Sequence, residues 1–218
     1  IALADLGLLS LSYAVEADAS AIRVYRRRST VSVGVEFDHG RPRMVISGDS
    51  ELNFKAFTLV GPDRVVIDVY DSIVTGDVVP IAVGAGGVVR VRTAMNRPGV
   101  VRVVADLDGP TGYSLKPVVA DSEGKSRIEA LFNSRLTGVG LDEASAIPRF
   151  LISASGPIVP TVSGHSRPGL VLIDVKEANI APGLLEATQK GRSVELLRAV
   201  QLDRDTARLE VATGAGMS

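Results

Sequence analysis

Seven arginines are the residues of this chain best equipped for chemistry: Arg43, Arg64, Arg92, Arg102, Arg149, Arg198 and Arg208. A guanidinium is a permanently charged, rigid fork of donors that can meet a carboxylate in two places at once. The chemistry it suggests is recognition of an anion by hydrogen bonds and charge. The bland role for any single one is a solvated strand face. Spacing singles out the set. Arg43 and Arg149, Arg92 and Arg198, and Arg102 and Arg208 each lie 106 residues apart.

Other chemistries find little footing. A catalytic zinc takes three protein ligands from His, Cys, Asp or Glu. The chain has no Cys and two histidines, His39 and His165, which do not correspond at the 106-residue offset. Both read as solvated turn residues, so no metal site, no cofactor and no catalytic residue is expected. The glycines of GAGG (84–87) are followed by VVRVR, a strand pattern. A phosphate loop needs a helix there, so these glycines read as a flexible connection between halves of a sandwich. With no Trp, four Tyr and five Phe, a sugar-stacking platform is poorly supported.

The bulk numbers bound the partners. Apolar residues make up 45% of 218 and charged residues 22%, enough for a packed core. Formal net charge is −1, so no nucleic-acid partner is expected. The basic run Arg26–Arg28 reads as a solvated patch. No apolar run is long and uncharged enough for a membrane span. The opening IALADLGLLSLSYAV is interrupted by Asp5 and lacks a preceding basic residue, so it reads as mature sequence inside a longer protein.

Those arginines must be positioned by strands. Val65-Val66-Ile67-Asp68-Val69 returns as Val171-Leu172-Ile173-Asp174-Val175, and Pro42–Ser47 returns as Pro148–Ser153, both at the offset of 106. One register held over several segments marks a duplication. A fainter echo, with one residue of slippage, links Leu3-Ala4-Asp5-Leu6 and then Tyr13-Ala14-Val15 to Val104-Ala105-Asp106-Leu107 and then Tyr113-Ser114-Leu115. Val31–Phe37 alternates, with Val31, Val33, Val35 and Phe37 on one side. In Arg64–Val69, Val65, Ile67 and Val69 point inward, and Arg64, Val66 and Asp68 take the less buried face. There Asp68 and Asp174 are expected to accept backbone N–H groups of the next turn. SRIEALF (126–132) reads as a strand between turn-rich flanks. Only Gly183–Lys190 reads as a short helix, closed by Gly191.

NFKAFTLVGPDRVVIDV (53–69), followed by RVRTAMNRPGVVRVVADLDGPTGYSL (90–115), resembles the AMIN domain. The pattern is an aromatic-x-Leu strand (Phe57-Thr58-Leu59), a Pro-containing turn (Gly61-Pro62) and an Arg-apolar-apolar-apolar-Asp strand (Arg64–Asp68). A second half is carried by Val100–Val104 and Asp106-Leu107. The likeness covers roughly 42–132 and, more weakly, 147–218, where Leu170 replaces the Arg. It implies an all-β fold: tandem small β-sandwiches, each of two related antiparallel or mixed sheets, with little helix. It also implies a non-catalytic segment binding peptidoglycan in the periplasm of a bacterial envelope. Two hosts fit. One is a type IV pilus secretin, associated with the outer membrane, a homo-oligomer if part of its ring, with pilus-assembly proteins as further partners. The other is a cell-wall N-acetylmuramoyl-L-alanine amidase. A periplasmic protein–protein adaptor is the third reading.

The expected organisation follows. Residues 1–28 are the tail of a preceding AMIN-like copy or lead-in strands. Residues 29–133 are an AMIN-like sandwich, 134–146 a linker, and 147–218 a second AMIN-like copy truncated at its C-terminal end. If the segment binds cell wall, the seven arginines are its candidate contacts to muropeptide carboxylates.

Overall fold

Runs of β-branched residues broken by Gly and Pro turns fold as short strands, and among its described residues the computed structural model is all-β apart from one 3-10 turn at Pro182–Leu184. It describes residues 13–17, 22–26, 28–75, 78–118, 125–142, 144, 149–164, 167, 169–184, 189–190 and 194–213. A hairpin of β1 (Tyr13–Ala17) and β2 (Ile22–Arg26) comes first, as a two-stranded sheet. Ten strands follow: β3 (Ser29–Asp38), β4 (Arg41–Gly48), β5 (Asn53–Leu59), β6 (Arg64–Tyr70), β7 (Ser72–Val74), β8 (Ile81–Ala85), β9 (Val88–Arg97), β10 (Val100–Leu107), β11 (Tyr113–Val118) and β12 (Ser126–Phe132). They make two five-stranded sheets, β5-β6-β10-β9-β8 and β11-β12-β4-β3-β7. Inward side chains of both meet in one core that includes Met44, Ile46, Ile67, Val103, Ile128 and Phe132. Burying such side chains stabilises by about 1.5–3 kcal/mol each.

The rear strands are β13 (Ser134–Asp142), β14 (Arg149–Ala154), β15 (Val159–Gly164), β16 (Leu170–Lys176), β17 (Ala178–Ile180), β18 (Gln189–Lys190), β19 (Val194–Gln201) and β20 (Thr206–Thr213). Their five-stranded sheet has the order β15-β16-β20-β19-β18 and their three-stranded sheet β14-β13-β17. Each rear strand occupies the place of the strand about 106 residues earlier. The unusual parallel pair recurs as well, β3 with β7 and β13 with β17. So does a left-handed residue, Asp71 at φ 51° and Glu177 at φ 48°. Its carbonyl accepts the N–H of Ser29 in front and of Ser134 behind. Along β3 and β13 the offset changes from 105 (Ser29 to Ser134) to 106 (Val33 to Val139), because Leu136 pairs with Ala154 and Gly138 with Ser153 and the exposed Thr137 between them is a β-bulge.

Several expectations need correcting. The segment expected to be a linker, 134–146, is a nine-residue strand from Ser134 to Asp142, with Leu136 fully buried in the rear core. Gly, Ser and acids there suit a strand because its partners on both sides supply the pairing. The expected helix 183–190 is instead the 3-10 turn, then strand β18 paired to β19; 185–188 lie outside the described residues. The glycines 84–87 do not join the two halves of a sandwich. They make the β8–β9 hairpin, with positive φ at Gly84, Gly86 and Gly87. Phe37 ends its alternating strand beyond the core and is exposed. SRIEALF is strand β12, buried at every second residue as alternation requires. The readings of His165, Gly191 and 1–12 fall outside the described residues.

The two sandwiches meet through a polar seam. Only Asn133 separates β12 from β13. The Gly112 N–H donates to Asn179 Oδ1 (2.8 Å), and Asn133 Nδ2 donates to Asp205 Oδ1 (3.0 Å). Arg204 donates to the Tyr113 carbonyl (2.9 Å) and lies 4.6 Å from the centre of the Tyr113 ring. The guanidinium of Arg135, almost fully buried, donates to Asp108, and Arg41 reaches Glu177 at 3.1 Å. A side chain at Gly112 would collide with Asn133, Asp205 and the Arg204 carbonyl. These paired groups hold one geometry, although Arg41 Nη2 and Arg135 Nε are buried without partners.

Candidate binding face

The residues of β6 alternate, yet both of its faces are buried. Val65, Ile67 and Val69 enter the core, and Val66 on the opposite face is just as inaccessible. Phe57 of β5 lies directly across from it, and arginines flank it. Register sets Arg102 of β10 directly across from Asp68, and Arg92 of β9 across from Val104, the residue facing Val66. The aliphatic stems of such side chains pack over valines while their heads stay hydrated.

Arg102 meets Asp68 in a bidentate pair, Nε to Oδ1 and Nη2 to Oδ2, both 2.7 Å. Its guanidinium also lies 5.7 Å from the centre of the Phe57 ring. Arg92 meets Asp106 in the same way at 2.7 Å, and Arg90 adds a third bond at 2.7 Å. The Asp68 bonds hold the Arg102 guanidinium above its ordinary range, and Asp106 does so for Arg92, with burial opposing in each case. Bonds from Arg92 hold the Asp106 carboxyl below the usual range, against burial, with Arg90 adding to the effect. Asp68 thus does not cap the following turn, because the neighbouring strand offers a charged fork at the right height.

Pairing across the strands places Lys55, Arg64, Arg90, Arg92, Arg97 and Arg102 on this one outer face. Six cations face two carboxylates, Asp68 and Asp106. Among the described residues Arg64 has no hydrogen bond or ion pair, and its Nε is buried without a partner.

The sequence profile of the AMIN domain matches residues 34–129, from the middle of β3 to the middle of β12. Residues 34–129 form an AMIN domain. AMIN domains are non-catalytic modules that bind peptidoglycan and target secretins and amidases to it, typically in the periplasm. No curated protein matches the chain. The match takes in both sheets of the front sandwich and, with them, the arginine-rich face.

The remaining arginines expected from sequence are dispersed around this AMIN domain. Arg43 sits on its other sheet, 2.8 Å from Asp38 and 3.8 Å from Glu36, and 4.0 Å from Glu129. Arg127 shares Glu36 and Glu129, so Arg43 belongs to a balanced surface network. Arg149 is exposed at the start of β14. Arg198 and Arg208 lie on the rear counterpart of the AMIN face. Arg208 pairs with Asp174 at 2.6 and 2.7 Å, which raises the guanidinium and lowers the carboxyl from their ordinary values.

That rear face has lost the basic character. The positions equivalent to Lys55, Arg64, Arg90, Arg92 and Arg102 hold Thr161, Leu170, Glu195, Arg198 and Arg208. Glu210 replaces Val104 and pairs with Arg198 at 3.4 Å. Sequence reading missed Arg90 and Lys55. Arg90 was findable, since it lies two residues before Arg92 and so on the same strand face; Lys55 needed the pairing of β5 with β6. His39, on a turn with φ 50°, is exposed and bonded only to its neighbour Asp38 at 2.8 Å. Among the described residues no three His, Cys, Asp or Glu side chains gather as metal ligands, and no helix is long and apolar enough to cross a membrane.

Proposed function

We propose that this chain is a peptidoglycan-anchoring segment of a bacterial envelope protein, working through the outer face of sheet β5-β6-β10-β9-β8. The supporting observation is the charge of that face: six cations on one sheet surface of a chain whose net charge is −1. Peptidoglycan stem peptides carry carboxylates, and a fixed array of guanidiniums complements them. The rear sandwich acts as a second AMIN-type copy that keeps the fold and the Arg208–Asp174 pair without the basic surface. Its role is to hold the front unit through the polar seam. Arg64 and Arg90 make the contacts, with Lys55. Arg92 and Arg102 hold the surface flat by locking onto Asp106 and Asp68.

The host is the periplasmic N-terminal part of a type IV pilus secretin. Two sandwiches joined strand to strand, with one residue between them, suit a stiff stalk ahead of a ring, where the segment would be present in as many copies as the ring. Sedimentation with purified sacculi tests the anchoring. Lys55→Glu/Arg90→Glu is expected to reduce the bound fraction several-fold at low salt. Asp106 keeps both Arg92 bonds in that variant, so the fold should stand. Arg198→Glu in the rear sandwich should leave binding unchanged. Equal binding by all three proteins overturns the assignment to this face, and no sedimentation of the unmodified protein overturns the anchoring itself.

A further inference from the structure

At the edge of the basic face, where the two sandwiches join, Arg64 and Arg204 line one small pocket of about 130 Å³. Leu59, Val60, Leu107 and Pro110 form its apolar wall. Arg64 comes from the first residue of β6, Arg204 from the Asp203–Asp205 turn of the rear sandwich. That turn is fixed from three sides. Asn179 Nδ2 donates to the Arg204 carbonyl at 2.9 Å, Asn133 holds Asp205, and the guanidinium rests on Tyr113. The pocket therefore exists only when both sandwiches are docked.

Arg64 is the anomaly here. Its neighbours Arg90, Arg92 and Arg102 are ion-paired, but Asp106, across from it, is saturated by Arg92 and Arg90. Its Nε is buried without an acceptor, but so are Nη2 of Arg41 and Nε of Arg127 and Arg135, so that atom does not mark a ligand site. What distinguishes Arg64 is a side chain without an ion pair beside an apolar pocket, where an incoming carboxylate can meet its terminal guanidinium nitrogens. The rear sandwich has Leu170 at the equivalent position, so the fold itself does not require the charge. Asp63 stands at the rim and disfavours a multiply charged anion, which leaves a single carboxylate as the matching group.

Size and wall chemistry complete the description. A space of about 130 Å³ holds a carboxylate and one or two small apolar groups, not a sugar ring. We propose that this pocket binds the terminal carboxylate of a short peptide ending in a small apolar residue such as alanine. The carboxylate meets Arg64 and Arg204, and the methyl group meets Leu59 and Leu107. This rests on the anchoring reading above and narrows it: the pocket takes the end of a stem peptide, and the basic face takes the charge along the polymer.

The probe is N-acetyl-D-alanyl-D-alanine, compared with the same dipeptide amidated at its C-terminus, titrated into the ¹⁵N-labelled full chain and followed by NMR. Saturable shifts of the Leu59, Arg64 and Thr111 amides with the free acid, and at least tenfold weaker ones with the amide, are expected. Arg64→Leu should abolish the shifts, Arg204→Ala should weaken them, and Arg64→Leu should leave the melting temperature unchanged or higher. A structural arginine would instead lower it. Absence of saturation, equal binding of acid and amide, or undiminished binding by Arg64→Leu overturns the proposal. Sacculus sedimentation separates this from the anchoring reading. Sacculi that bind while the free acid does not refute the pocket alone; a dipeptide that binds while sacculi do not refutes the anchoring alone.

Discussion

Removing Arg102 should cost more than removing its partner, and the reason lies in unequal exposure. The Asp68 side chain keeps 11% of its accessible surface and that of Arg102 keeps 35%. In Arg102→Ala the carboxylate stays where it was, largely dry, with both oxygens stripped of their 2.7 Å donors. A stranded buried group costs about 1–3 kcal/mol. Loss of the guanidinium from the Phe57 ring adds about 0.5–1 kcal/mol. Partial hydration of the site trims the sum, so about 2–3 kcal/mol is expected, since exposed pairs are worth little. In Asp68→Ala the arginine head can swing into water, and about 1 kcal/mol suffices. The double variant should then lose clearly less than the sum, with a coupling of about 1–2 kcal/mol. Urea denaturation followed by circular dichroism measures all four proteins. In a chain of this size Arg102→Ala should also lower the melting temperature by roughly 4–12 °C. Equal costs for the two single variants, or strict additivity, would refute the picture of a dry acid held by a wetter base. The rear pair serves as a control. Asp174 and Arg208 are similarly exposed, at 28% and 29%, so their single variants should cost alike and less.

Other outcomes follow from the same geometry. The Asp106 carboxyl is held below the unfolded value of about 3.9, so its contribution is complete above that value and is lost as pH falls through the folded one. Thermal stability should thus be flat in this respect from pH 7 to 5 and decline below about pH 4, less steeply in Asp106→Asn. Gly112→Ala forces a methyl into Asn133, Asp205 and the Arg204 carbonyl. It should lower stability by about 2 kcal/mol or more and expose the Asn133 junction to limited proteolysis. Deleting Thr137 should change stability by less than about 1 kcal/mol, because it restores in β13 the straight register that β3 already has with β4. Equilibrium denaturation checks both.

Period-two runs of Val and Ile made the strands and the all-β fold legible, and a constant offset exposed a shared strand plan, because alternation and turn chemistry are local. The inward set Val65, Ile67 and Val69 was readable for the same reason. Tertiary structure decided what depends on register between strands. Asp68 looked like a turn cap because its nearest donors in sequence are backbone amides; only the pairing of β6 with β10 brings Arg102 across from it. Residues 134–146 looked like a linker because their composition is loop-like, and over Ser134–Asp142 two flanking strands from elsewhere override that preference. Arg204 was invisible altogether. Its counterpart at the offset is Pro98, so the repeat concealed it, and it shares a pocket with Arg64 only because the two sandwiches dock. Spacing along the chain reports which side of a strand a residue takes. Which charge it then meets is settled by contacts between segments far apart, and no local pattern encodes those.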